Sequence, residues 1–294
     1  GCLLFGALMK NGNNCQNSKG KGVALIAVLW IVATLSIIVA GISYSVRQEL
    51  RQMSLYREMV QSKAQSEAAM SLVLQQMIAS AQRPNKIISV DLVYQGQGIK
   101  LQIMPMSGLI DINNASQPLL AALFERGAGM DPAAAEELAK NVVDARTKLD
   151  RQGRALRFDA IQDLLRVPGV DYALYARLAP LVTAEATGSG KVNPLAAPEN
   201  VLQVLAGDNA RAVADFIVAR ATEVAGLDLT LFDNRFVDTA TTQRFRLQTK
   251  IPLSSGLFSL ATCSVDLSAR SQDGMPWRIF RCSHQLAANP GKGL

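Results

Sequence analysis

The apolar positions of this chain change period three times, and each change marks a different kind of element. Val23 to Val46 (VALIAVLWIVATLSIIVAGISYSV) runs 24 residues without a charge. Such a run predicts a helix of about 36 Å, enough to cross the ~30 Å hydrocarbon of a bilayer. Little in the following sequence would stop that helix before Gln82 and Pro84, so roughly 90 Å of helix is expected, far more than a membrane needs. Residues 47–67 are mostly polar. From Ala68, the positions Ala69, Leu72, Val73, Leu74, Met77 and Ile78 form a stripe at helical spacing, as a helix docked on a globular head requires.

The period then drops to two. IISVDLVY (87–94) and GIKLQIMP (98–105) read as strands around a Gln95–Gly98 loop, with Ile99, Leu101 and Ile103 alternating with Lys100 and Gln102. From Gly108 the texture is helical and Ala-rich, and it contains a repeat. GLIDINNASQPLLAAL (108–123) aligns with GKVNPLAAPENVLQVL (190–205), and VDAR (143–146) with IVAR (217–220). Two occurrences of one strand-end and two-helix unit predict a duplicated helical module. Strand alternation returns in QRFRLQTKI, where Phe245, Leu247, Thr249 and Ile251 interleave with Arg244, Arg246, Gln248 and Lys250; GLFSLATCSVDLSAR and MPWRIFRCSH add two more strands. The expected organisation is a leader (1–22), a membrane half (23–46) and an exported half (47–82) of one helix, a first sheet portion (83–107), a helical insert (108–237), returning strands (238–288) and a tail (289–294). The fold class is α+β: a long N-terminal helix on a small antiparallel sheet, with a large all-α domain inserted between strands.

Charge fixes the orientation. Of the net charge of +6, three units are Lys10, Lys19 and Lys21, and no acid precedes Glu49; about +3 is left on the rest, too little to argue for nucleic acid. Lysines ahead of the span keep the N-terminus cytoplasmic and carry residues from about 47 across the membrane. Met9 is the first methionine, and 9–22 makes a compact leader, with a start at Met9 or upstream left open. A secretory signal peptide fits less well, because the run is about twice a usual h-region; a plain signal anchor stays open.

Cys2 and Cys15 fall in the leader region, Cys263 and Cys282 in the exported part, where disulfides persist. A hairpin turning at Ser271–Gly274 sets Cys263 opposite Cys282, a spacing a disulfide can bridge; two reduced, buried thiols are the alternative. Enzyme signatures are missing. The one histidine, His284, has no G-x-S-x-G turn beside it, and no CxxC, HExxH or P-loop occurs. LLRVPGVDYALYARL (164–178) has the texture of a DNA-binding helical hairpin. Asp171, however, stands where a glycine would meet phosphate, so a structural hairpin is expected. Asp111, Asp131, Asp144, Asp150, Asp159 and Asp163 lack the close run a calcium site needs.

The junction KGKG–VALIAVLWIVATLS, the stretch GLIDINNAS…LLAAL, FDAIQDLLRVPGVDYALYARLAPLVT (158–183) and GSGKVNPLAAPENVLQVL (188–205) together resemble the minor pseudopilin K family of the type II secretion system, over about residues 19–285. The resemblance implies a pilin-like helix and sheet with a large helical insertion. It implies cleavage between Gly22 and Val23 by a membrane prepilin peptidase and N-methylation of Val23. The partners it implies are minor pseudopilins I and J, with H and the major pseudopilin G as further candidates, in the inner membrane of a Gram-negative cell with the head periplasmic. No enzyme activity, cofactor, metal or nucleic acid is implied; the acidic pattern that binds calcium in some members is not present in VVDARTKLDRQGRALRFDA. Most pilin-like subunits carry glutamate as the fifth residue after the cut, and Ala27 stands here, which favours the tip of a filament. An uncleaved anchor helix would also carry no carboxylate there. The other reading is thus an uncleaved single-span periplasmic protein whose helical block binds or catalyses.

Overall fold

The structure is a computed structural model describing residues 19–80, 83–149, 152–185, 188–207, 209–222 and 227–288. The leader positions 1–18, with Met9, Cys2 and Cys15, and the tail 289–294 lie outside the described residues. The chain divides into two compact units, Gly1–Glu58 and Met59–Leu294.

Helix α1 (Lys19–Ala79) is a single element. It begins four residues before the expected Val23, because nothing in Lys19–Gly22 breaks a helix strongly enough once the apolar run propagates it. In the first unit α1 exposes its apolar side chains. In the second, it buries a face made of Ser62, Ser66, Ala69, Met70, Val73, Leu74 and Met77, the i, i+3, i+4 spacing of one helix face. Leu72, expected on that face, is instead 49% exposed. It lies about 100° round from Val73, whose position is taken by the sheet.

Strands β1 (Ile88–Tyr94) and β2 (Gln97–Pro105) form a hairpin with a two-residue turn, Gln95-Gly96, both with positive φ (51° and 77°). The expected four-residue loop is thus shorter: a type I′ turn matches the twist of the strands and needs positive φ at both central positions. Two short strands lie within the insert, β3 (Ile110–Asp111) and β4 (Val182–Thr183), and after it come β5 (Arg244–Pro252), β6 (Phe258–Asp266) and β7 (Arg278–Ala287). The main sheet has the order β1-β2-β5-β6-β7, every pair antiparallel. Ile99, Leu101 and Ile103 of β2, Phe245, Leu247 and Ile251 of β5, and Ala261, Cys263 and Val265 of β6 alternate inward onto α1. The β6–β7 ladder bulges at Phe280, between the pairs Ser264↔Arg281 and Val265↔Ile279.

The stretch between β2 and β5 is an insert with its own core, but it is not all-helical. Helices α2 (Gln117–Ala122), α3 (Pro132–Thr147), α4 (Tyr172–Leu178), α5 (Glu199–Ala206) and α6 (Ala210–Ala221) run only 6 to 16 residues. They are tied by a parallel β3–β4 ladder and a parallel bridge Val192↔Val237. Side-chain caps start three of them: Asp131 accepts from the Ala133 and Ala134 amides, Asp171 from Leu174, and Asn209 from Ala212.

The repeated segments make matching contacts. A Cβ on Gly108 would sit 2.1 Å from the Ala196 carbonyl oxygen, and one on Gly190 2.1 Å from that of Asn114. With the 82-residue offset of the alignment, Gly108 corresponds to Gly190 and Asn114 to Ala196, so each glycine packs on the other segment's equivalent backbone. Arg146, at the end of α3, donates to the Ile112 and Ala115 carbonyls (2.8 and 2.7 Å); Arg220, at the end of α6, to those of Pro194 and Ala197 (2.9 and 2.7 Å). Asp111 accepts from the Asn113 amide and Asn193 from the Leu195 amide, again offset by 82.

Candidate functional site

The features that the sequence singles out as functional lie on α1 and on the β6–β7 hairpin. The Gly22–Val23 bond falls inside α1, and its side chains are outside the described ones. From Leu25 to Val46 every described side chain is exposed, Trp30 at 70% and Ile37 at 72% among them. This helix is long and apolar enough to cross a membrane. Its polar atoms suit that surrounding: the Thr34 hydroxyl donates to the Trp30 and Ile31 carbonyls and the Ser36 hydroxyl to Val32. Neither of these two hydroxyls is thereby an orphan donor in hydrocarbon. Ala27 is exposed on this stretch, and no Asp, Glu, Lys, Arg or His lies between Leu25 and Val46.

Within the second unit, α1 is locked to the sheet by hydroxyls as well as by its apolar stripe. The fully buried Ser66 accepts from the Thr249 hydroxyl at 2.9 Å, and Ser62 donates to the Ser259 hydroxyl at 3.0 Å. These pairs extend the docked face two turns ahead of Ala68, into sequence that reads as polar and solvated. The signal for them was the alternation in β5, which put Thr249 on the inner face.

Cys263 on β6 and Cys282 on the edge strand β7 are directly opposed in register and joined by a disulfide. Closing a loop of 19 residues removes about 3 kcal/mol of unfolded-chain entropy in the loop-closure account, a staple for a strand with one free side.

No protein-family model and no curated protein matches the chain. Among solved structures, it is similar to a chain in the crystal structure of the GspK-GspI-GspJ complex of the type 2 secretion system of enterotoxigenic Escherichia coli. The TM-score is 0.50 at 15% identity, over 81% of this chain and 99% of that one. The fold is pseudopilin-like.

Of the remaining candidates, several have structural occupations. His284 is exposed on β7, paired in register with Ala261. In the 164–178 segment, a 3₁₀ turn (Ile161–Arg166) leads through Gly169 (φ 95°) into α4, and the Asp171 carboxylate is spent capping α4. Asp163 accepts from the Asp159 and Ala160 amides, and Asp131 caps α3. No group of three or more His, Cys, Asp or Glu residues that could hold a metal ion occurs among the described residues.

Proposed function

We propose that this chain is a non-enzymatic structural subunit of a type II secretion pseudopilus, of the minor pseudopilin K kind, placed at the filament tip. In this reading a prepilin peptidase cuts between Gly22 and Val23 and methylates the new Val23 amine. The mature helix is held in the inner membrane until the chain joins minor pseudopilins I and J. The pseudopilin-like fold and the uncharged, exposed stretch from Leu25 to Val46 support a filament subunit.

The observation that carries the tip placement is Ala27. A carboxylate inside hydrocarbon costs about 2.5–3.5 kcal/mol on insertion scales unless paired. The glutamate usual in pilin-like subunits is understood to pair with the N-terminal amine of the subunit ahead. A subunit with nothing ahead of it has no amine to meet, so alanine avoids the penalty. The test is Ala27→Glu in a secreting cell. Processing should continue, while exoprotein secretion falls by about tenfold or more, matching an unpaired intramembrane charge. Secretion at the parental level would remove Ala27 as the determinant of position.

A further inference from the structure

The outward face of the main sheet carries two polar rows under the insert. One runs Gln102, Gln248, Thr262, Ser283 across β2, β5, β6 and β7; the other runs Met104, Arg246, Ser264, Arg281. Tyr175, Gln162 and Glu185 of the insert stand over them, enclosing a cleft of about 620 Å³. Three charges line it: Glu185, Arg246 and Arg281.

Their pairing is uneven. Arg281 Nη1 stands 3.1 Å from Glu185 Oε1, and its other terminal nitrogen donates to the Asp159 carbonyl. The neighbouring Arg244 is occupied outside the cleft: it pairs with Asp266 at 3.0 Å, donates to the Glu185 carbonyl and lies over the Phe280 ring. The Arg246 guanidinium has neither a hydrogen bond nor an ion pair from any described residue. Burial pushes its guanidinium below the usual range, Glu185 pulls it back up and Arg281 pushes it down again. An arginine nonetheless stays charged. The cleft therefore holds two guanidinium groups against one carboxylate, and the unmatched one is half-buried. Such a group is stabilised by a fork-to-fork carboxylate partner.

The geometry points to this cleft as a docking site for an acidic peptide segment of a partner protein, whose carboxylate pairs with Arg246. The volume falls in the range of ligand pockets and admits a few residues. Around Arg246 the floor offers carboxamides and hydroxyls (Gln102, Gln248, Thr262, Ser283), groups that donate and accept and so match a peptide backbone. A phosphate fits less well, because it has no backbone amides and carbonyls to meet the carboxamides and hydroxyls of the floor. The inference stands independently of any role in secretion.

The experiment uses the full chain in detergent micelles and a rhodamine-labelled peptide, Gly-Ser-Glu-Thr-Asp-Ser-Gly, against its Gln/Asn counterpart, read by fluorescence anisotropy. The acidic peptide should bind about tenfold or more tightly than the amide version, a 1.4 kcal/mol preference. Arg246→Gln should abolish the preference. Gln248→Glu places a carboxylate two residues along the same face of β5, and should both block the peptide and raise the melting temperature, which keeps the test independent of how well Arg246→Gln folds. Lys140→Gln, on the exposed side of α3, should change nothing. The inference is overturned by equal affinity for both peptides, by no binding of the acidic one, or by an Arg246→Gln protein that keeps the preference. Displacement by inorganic phosphate as effective as by unlabelled acidic peptide would overturn it too.

Discussion

In the first of the two matching segments, Arg146 reaches the Ile112 and Ala115 carbonyls with a buried carboxylate, Asp111, beside it; in the second, Arg220 reaches the equivalent carbonyls of Pro194 and Ala197 with Asn193 in that place. The backbone needs are the same in both: an arginine to satisfy buried carbonyls, and a side-chain oxygen at 111 or 193 to close a local turn. The charge is different because the surroundings are. The Asn193 amide nitrogen faces the Asn85 and Ala240 carbonyls, in the stretches that lead into β1 and β5, where a carboxylate would be repelled. Asp111 instead has the Asn114 amide as donor and Arg146 and Arg157 for countercharge. A hydrogen-bonding frame is thus shared while the charges on it are not, and the second segment's frame also reaches the stretches that lead into the main sheet.

The strongest way to break the comparison is at the glycines. Gly190→Ala should destabilise the chain by about 2–5 kcal/mol, since the new Cβ meets the Asn114 backbone and the residue sits at φ 82°. Gly108→Ala should cost less, about 1–3 kcal/mol, because the packing clash is alike but its φ carries no such penalty. Chemical denaturation of the full chain in detergent checks both; equal costs would mean that the positive φ at 190 carries no weight.

The arginines come next. Arg220→Met should lose about 1.5–3 kcal/mol, the range for hydrogen bonds from a charged donor. Arg146→Met should lose more, because it also strips Asp111 of a countercharge, and the excess should vanish when Asp111→Asn is added. A double-mutant cycle reads this directly.

The smallest effect is a pH slope. Burial raises the Asp111 carboxyl above its ordinary value of 3.8, more than the Asn113 and Asn114 hydrogen bonds and the arginines lower it. The folded chain therefore holds that proton more tightly than the unfolded one. Its contribution is fully present below 3.8 and is lost as pH rises through the folded value. Asp111→Asn should remove this fall from a series of melting curves between about pH 4 and 7, whereas an unchanged slope would assign it to other groups.

Much of this was legible in the chain because it rests on period and register. The inward set of β5 follows from strict alternation, and the long helix from an unbroken apolar run. What was hidden lay in contacts that no local pattern encodes. Ser62 and Ser66 read as polar surface, yet they are buried because Ser259 and Thr249, almost 200 residues away, satisfy their hydroxyls. Gln95-Gly96 lacks the Asn or Asp that usually advertises a type I′ turn, so the loop was drawn too long. Strands β3 and β4 have two residues each, too short for any periodicity, and their omission made the insert look wholly helical. Arg246 counted only as one member of an alternating strand until the sheet and the insert closed over it. Gly22, Val23 and Ala27 owe their candidacy to position along the sequence, and the fold adds only that their stretch is helical and, from Leu25 to Val46, outward-facing.

The central claim, a processed filament subunit, is tested most directly by the mass of the N-terminal peptide of the chain extracted from membranes of cells with an active prepilin peptidase. The account predicts a chain that starts at Val23 and carries one added methyl group on its amine. A chain that still carries Lys19 to Gly22 in those cells would contradict it.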